Sequence, residues 1–289
     1  MPTFPVTGNK LKTIRQTAAG FDSSATADKT LAIVLKNDGY CFCVSAAADR
    51  KLLAVQADAW TAEQQKLHPA ERLQQLLQTE PLPGKVYSRI LVALESIHYT
   101  LVPGAVYQEG TGTDYYECVL PRALDEQLGR DSLKRTEAEL IYGLPFGLSS
   151  AVRLHFPSAS IRALVGAMTE YLQSTTPGGE HLFIHYTEES LQLWAYSGQK
   201  LHLLNRFKAT VQEDILYHCL NTAKQLGFDQ PPLHLLRSNS DQSSLLKFLS
   251  PHFISCDLIQ PGEELNDATG MARLEKAALS DALALLCVS

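Results

Sequence analysis

Apolar residues fall in short dense runs along this chain, and in two places the runs follow one plan. In the first, residues 31–35 are apolar on both faces, as a buried central strand requires. Asn37-Asp38-Gly39 interrupts the run with residues that tolerate positive φ, a hairpin signal, before strands at 40–44 and 52–56. Pro69 can open a helix at its first turn, with Leu73, Leu76 and Leu77 on one side. Residues 86–94 read as the next strand, and 139–144 as the strand that closes this half. Between them, 108–136 is hardest to read, with one short helical stretch expected near Leu124. Ser158 or Ser160 can cap a helix whose Ile161, Leu164, Val165, Met168 and Leu172 form an apolar stripe. Thr175-Thr176-Pro177-Gly178-Gly179 ends that helix.

The second half repeats the plan more clearly. Strands at 181–187, 190–196 and 200–207 are joined by short turns, the first at Glu188-Glu189. Thr210 and Glu213 have capping-box spacing at the head of a helix. Val211, Ile215, Cys219, Ala223 and Leu226 line its apolar face, and Gly227 ends it. A strand at 233–236, a helix at 243–249, a strand at 253–259 and a helix near 272–287 follow. Each half thus reads β-β-β-α-β-α-β-α, the order of a ribonuclease H-like unit. The expected fold class is α/β, two such units in tandem as in the actin group, each with a mixed five-stranded sheet. An N-terminal arm (1–29) would precede a first domain (30–176) and a second (177–289).

Composition narrows the function. The chain has 289 residues, 45% of them apolar, and a formal charge of −6, with Lys and Arg scattered. That balance lacks the basic footprint of a nucleic-acid binder. No apolar run approaches the roughly 20 residues that span a bilayer. The start carries no apolar segment after its charges, so a cytoplasmic protein without membrane insertion is expected. Cys41 and Cys43 share one strand face, and no paired Cys or His has zinc spacing. These two, with Cys118, Cys219, Cys256 and Cys287, are expected to be buried reduced thiols.

Several stretches carry a family resemblance: Phe21-Asp22 with LAIVLKNDGYCFCV, TLVPGAVY at 100–107, HFPSASIRALVGAM at 155–168 and LLNRFKATVQEDILYHCLNTAKQLGF at 203–228. They are similar to an uncharacterised bacterial family, domain of unknown function number 3822, whose structures resemble actin-like ATPases. The resemblance implies a fold and carries no activity.

Actin-like ATPases grip phosphates with two hairpin turns, usually Asp-x-Gly followed by Ser or Thr, whose backbone N–H groups meet the oxygens. Here the first turn reads Lys36-Asn37-Asp38-Gly39-Tyr40, with Asp and Gly adjacent and a tyrosine after them. The second reads Thr187-Glu188-Glu189-Ser190, without glycine and with two carboxylates that would repel phosphate. The late strand ends Leu236-Arg237-Ser238-Asn239-Ser240, without the glycine pair that lets adenosine approach. If a nucleotide binds at all, Asp38, Gly39, Arg237 and Ser238 are the residues placed to hold it.

Other chemistry fails too. The first strands lack the carboxylates of a two-metal nuclease, and Gly147-Leu148-Ser149-Ser150-Ala151 lacks the last glycine of a serine-hydrolase elbow. His181 and His185 lie four apart on a strand, too distant to chelate together. No catalytic residue, metal ligand or cofactor is expected. The remaining reading is a protein-interaction or scaffold pseudoenzyme that binds an unknown protein partner through its interdomain cleft or second domain. Trp194 and Tyr196 share a strand face, and either form an exposed aromatic patch for that partner or pack under a helix. The alternative is a divergent nucleotide-binding ATPase or kinase-like enzyme that uses the cleft.

Overall fold

A computed structural model describes residues 13–46, 50–187, 189–236, 242–271 and 279–288. The chain opens with β1 (Ile14–Thr17), β2 (Lys29–Leu35), β3 (Gly39–Ala46) and β4 (Leu52–Ala59), then α1 (Ala62–Gln65) and α2 (Pro69–Thr79). β5 (Arg89–Leu94) follows, then β6 (Tyr99–Pro103), α3 (Gly112–Glu117), β7 (Glu126–Leu133) and β8 (Ala138–Pro145). Next come α4 (Leu148–His155), β9 (Ser160–Ala163) and α5 (Leu164–Thr175). The later part holds β10 (Glu180–Thr187), β11 (Ser190–Ser197), β12 (Lys200–Lys208) and α6 (Gln212–Leu226). It ends with β13 (Leu233–Leu236), α7 (Ser243–Leu249), β14 (Cys256–Ile259) and α8 (Ser280–Cys287).

The strands make three sheets: β1-β4-β3-β2-β5-β9, β12-β11-β10-β13-β14 and β6-β8-β7. Leaving β1 aside, the two larger sheets are wired alike. Each has an antiparallel triplet whose first strand (β2 or β10) pairs in parallel with a later strand (β5 or β13), which in turn pairs in parallel with the last (β9 or β14). The continuous apolar run of β2 is explained by its position: Leu31, Ala32, Ile33 and Val34 are fully buried at the sheet centre. α8 crosses the first sheet against β2, β3 and β5 and packs beside α5. One core joins that sheet, α5 and α8 to Phe183, Trp194, Tyr196 and Leu236 of the second sheet.

Several expectations need correction. The first sheet has six strands, because β1, within the expected arm, pairs antiparallel with the edge of β4. Residues 139–144 do form a strand, within β8, but it belongs to the separate three-stranded sheet. The first sheet is closed instead by β9, which occupies the start of the expected 161–172 helix. Helical spacing of apolar residues continued through a four-residue strand too short to show its own period. Leu124 is fully exposed and not helical; the helix of that region is α3. At the head of α6, Asp214 rather than Glu213 is the cap, accepting the Thr210 and Val211 N–H groups at 2.9 and 3.2 Å. Cys118 is exposed, and the other five cysteines are buried or half-buried.

Asp131 of β7 braces the small sheet against the first. Its carboxylate accepts the Ala163 N–H at 2.6 Å and the Tyr142 hydroxyl at 3.0 Å. Burial pushes its pKa up to about 6, despite these bonds and the nearby Arg162. Among the described residues no helix is long and apolar enough to cross a membrane.

Candidate functional site

The C-terminal ends of parallel strands are where an α/β sheet leaves room for ligands. At the ends of β2 and β5, Lys36, Asn37 and Asp38 turn the chain into β3, with the Lys36 N–H on the Gly39 carbonyl at 2.9 Å. The three turn carbonyls are all occupied. Trp60 Nε1 donates to Lys36 O at 2.8 Å, Arg72 Nη1 to Asn37 O at 3.4 Å and the Trp60 N–H to Asp38 O at 3.0 Å. Arg72 also donates to the carbonyls of Gln64, Gln65 and Leu67, and its guanidinium lies 5.1 Å from the Trp60 ring centre. On the donor side, the Asn37 N–H is taken by Glu95 Oε2 at 2.7 Å. Glu95 directly follows β5, and its own N–H bonds the Leu35 carbonyl at 2.9 Å. Leu35, Lys36, Asn37, Trp60, Arg72 and Glu95 line a pocket of about 380 Å³, its open mouth included.

Lys36 also reaches α8. Its ammonium lies 3.3 Å from Asp281 Oδ2 and 3.9 Å from Asp38 Oδ1. Only 16% of the Lys36 side chain and 11% of the Asp281 side chain are exposed. Burial opposes charge on both. For Lys36 it is outweighed by Asp281, Asp38 and Glu95, which hold the ammonium above its ordinary pKa. Asp281 is held below the usual carboxylate range by Lys36 and then His185. The second sheet contributes His185 of β10, whose pKa is lowered chiefly by burial. Its register partner, Gln192 of β11, donates to the Tyr99 hydroxyl of β6 and, at 3.1 Å, to Asn205 O. The buried ion pair thus ties the end of β2 to α8, and Gln192 joins the second sheet to the three-stranded one. Among the described residues no group of three or more His, Cys, Asp or Glu could hold a metal ion.

The residues singled out from sequence fare differently. Asp38 sits at the turn with 67% of its side chain exposed. Neither Asn37, Asp38 nor Gly39 has positive φ. Gly39 is small for another reason: a Cβ there would lie 2.3 Å from the Asp58 carbonyl oxygen, so the glycine serves the close approach of β3 and β4. Arg237 and Ser238 lie outside the described residues.

Trp194 and Tyr196 do not form a surface patch. They are 2% and 0% exposed and pack under α5, where Trp194 Nε1 donates to Thr169 Oγ1 and the Tyr196 hydroxyl to Thr169 O, both at 2.9 Å. The tyrosine and tryptophan polar tips thus find partners inside the core, which is what permits their burial. His181 is paired not with His185 but with His234, Nδ1 to Nε2 at 3.0 Å. Sequence reasoning missed Glu95 and Asp281, which lie far along the chain from the turn they serve. For Glu95 a signal existed: an acid directly after a buried parallel strand.

The family profile of DUF3822, a protein of unknown function, matches residues 17–255. The chain belongs to this family. No curated protein matches the sequence. Among solved structures, a Bacteroides thetaiotaomicron protein with actin-like ATPase fold and unknown function is similar over 83% of this chain and 93% of its own. The two share 19% identity at a TM-score of 0.73. A PilM–PilN type IV pilus biogenesis complex is similar over 89% of this chain and 97% of its own, at 11% identity and a TM-score of 0.61. These likenesses establish that this DUF3822 member has the actin-like ATPase fold.

Proposed function

We propose that this chain is a protein-binding scaffold on an actin-like fold, built from two ribonuclease H-like units, whose phosphate position is closed by its own side chain. The observation that carries the reading is the 2.7 Å bond from the Asn37 N–H to Glu95 Oε2. In a nucleotide-binding turn such a donor is offered to phosphate; here a carboxylate holds it. Bringing a phosphate oxygen to about 4 Å from that carboxylate costs on the order of 4 kcal/mol at an effective dielectric of 20. Lys36, the cation at the same turn, is engaged by Asp281. A neighbour of the same fold solved as a PilM–PilN complex supports assembly as a use of the fold, by analogy alone.

The test is thermal unfolding in millimolar ATP with magnesium. A ligand at 100 times its Kd adds about 2.7 kcal/mol of apparent stability. The expected result is no shift for the native chain. A clear rise in Tm with ATP that Asp38→Ala abolishes overturns the scaffold reading in favour of a divergent nucleotide-binding enzyme.

A further inference from the structure

We propose that the free edge of β12 is a docking site for an acidic, extended segment of a partner protein, which adds to the second sheet as an antiparallel strand. The inference deepens the protein-binding reading and rests on it.

β4 and β12 hold the same place, the outer strand of an antiparallel triplet. On β4 that place is already used for strand addition, because β1 pairs antiparallel with it from Ile14↔Ala57 to Thr17↔Ala54. Among the described residues the sheet ends on β12. The register fixes which groups are offered. The Ala209 N–H bonds the Glu189 carbonyl, continuing the pairing of Ser190 with Lys208, so residues 203, 205 and 207 turn their backbone groups toward β11. Leu204, Arg206 and Lys208 turn theirs outward. Among the described residues only one of these donors is engaged: the Arg206 N–H bonds Asn205 Oδ1 at 2.8 Å, a local contact that an incoming carbonyl can replace. A nine-residue edge of this kind is a template for another strand.

β12 carries Lys200, His202, Arg206 and Lys208 and no acid, within a chain of net charge −6. Lys200 and Lys208 are exposed and in no ion pair among the described residues. Opposite charges across neighbouring strands are favourable and like charges are not. A second copy is therefore a poor occupant: antiparallel pairing about Leu204 would set Lys200 against Lys208 and His202 against Arg206. An acidic strand meets no such penalty.

The experiment is an amide-resolved NMR titration of the full chain with a panel of ten-residue peptides alternating Glu with Val, Ile or Thr. The same peptides with Lys in place of Glu serve as controls. The acidic peptides should perturb the amides of Leu204, Arg206 and Lys208 first, and raised salt should weaken them. Lys200→Glu/Lys208→Glu, which alters only exposed side chains, should weaken the acidic peptides at least tenfold and improve the basic ones. Absence of shifts on β12, equal binding of acidic and basic peptides, or self-association of the purified chain through this edge overturns the proposal. The ATP experiment is independent: an unbound edge with no ATP shift removes this surface and leaves the scaffold reading.

Discussion

β4 and β12 are equivalent strands in two sheets of one connectivity, yet among the described residues one is flanked by β1 and the other ends its sheet. The difference extends beyond the edge. The first sheet is braced on several sides: by β1, by α8 across its face and by the small sheet through Asp131. Its leading turn is tied by Trp60, Arg72 and Glu95. In the second sheet the corresponding strands β10 and β11 close with the Thr187 and Ser190 hydroxyls 2.8 Å apart. The central strand β2 is buried throughout its apolar run, whereas no position of β12 is fully buried. One topology can thus be finished as an anchored body or left with an available edge, and the choice rests on a few added contacts.

The largest expected effect comes from breaking the ion pair that couples the anchored sheet to α8. Lys36→Met leaves Asp281 buried without its partner and should cost about 3–5 kcal/mol in urea unfolding. Lys36→Met/Asp281→Leu, which removes both charges, should recover most of that loss. Because the Asp281 pKa is lowered in the folded chain, the pair's contribution is present above the unfolded carboxylate value and is lost as pH falls through the folded one. Equal losses in the single and double variants would show that packing, not charge, joins α8 to the sheet.

Next is the edge cover itself. Ile14 is buried in the first core, and Ile14→Ala should cost about 2 kcal/mol by the same measurement. A loss far below 1 kcal/mol would mean that β1 adds little and that the two edges are less different than their pairing shows. Asp131 tests the brace to the small sheet. Its folded pKa of about 6 lies above the ordinary 3.8, so the stability it contributes is full below the latter and is lost as pH rises through the former. Relative to the native chain, Asp131→Asn should therefore gain roughly 2 kcal/mol between pH 4 and pH 7. A pH-independent difference would remove that assignment. The smallest effect belongs to Trp194→Phe, which gives up one buried hydrogen bond to Thr169 and should cost about 1 kcal/mol in thermal unfolding. No loss at all would show that Thr169 finds another partner.

The hairpin triplets were legible because dense apolar runs separated by polar turns carry their own pairing. The α6 boundary was legible too, since Gly227 takes φ 73° just where the apolar stripe stops. β8 was found as a strand but assigned to the wrong sheet, because the pattern of one strand does not name its neighbour. The partner of Trp194 and Tyr196 was equally hidden: only the tertiary fold brings Thr169 beneath them. The candidate site was the least readable part. Asp38 and Gly39 were visible as a turn, while Glu95 and Asp281 reach it through strand pairing and helix packing across long sequence separations.

The packing of α8 on β2, β3 and β5 also sets an order of events during synthesis. Roughly 190 residues separate the end of β5 from the start of α8, so at ribosomal rates the three strands emerge about 10–40 s before the helix that covers them. Through that interval the apolar face destined for Leu283 and its neighbours has no cover from its own chain. A nascent first half thus exposes apolar surface of the kind that makes folding intermediates aggregate, and a chain ended before Ser280 should be less soluble than the whole one.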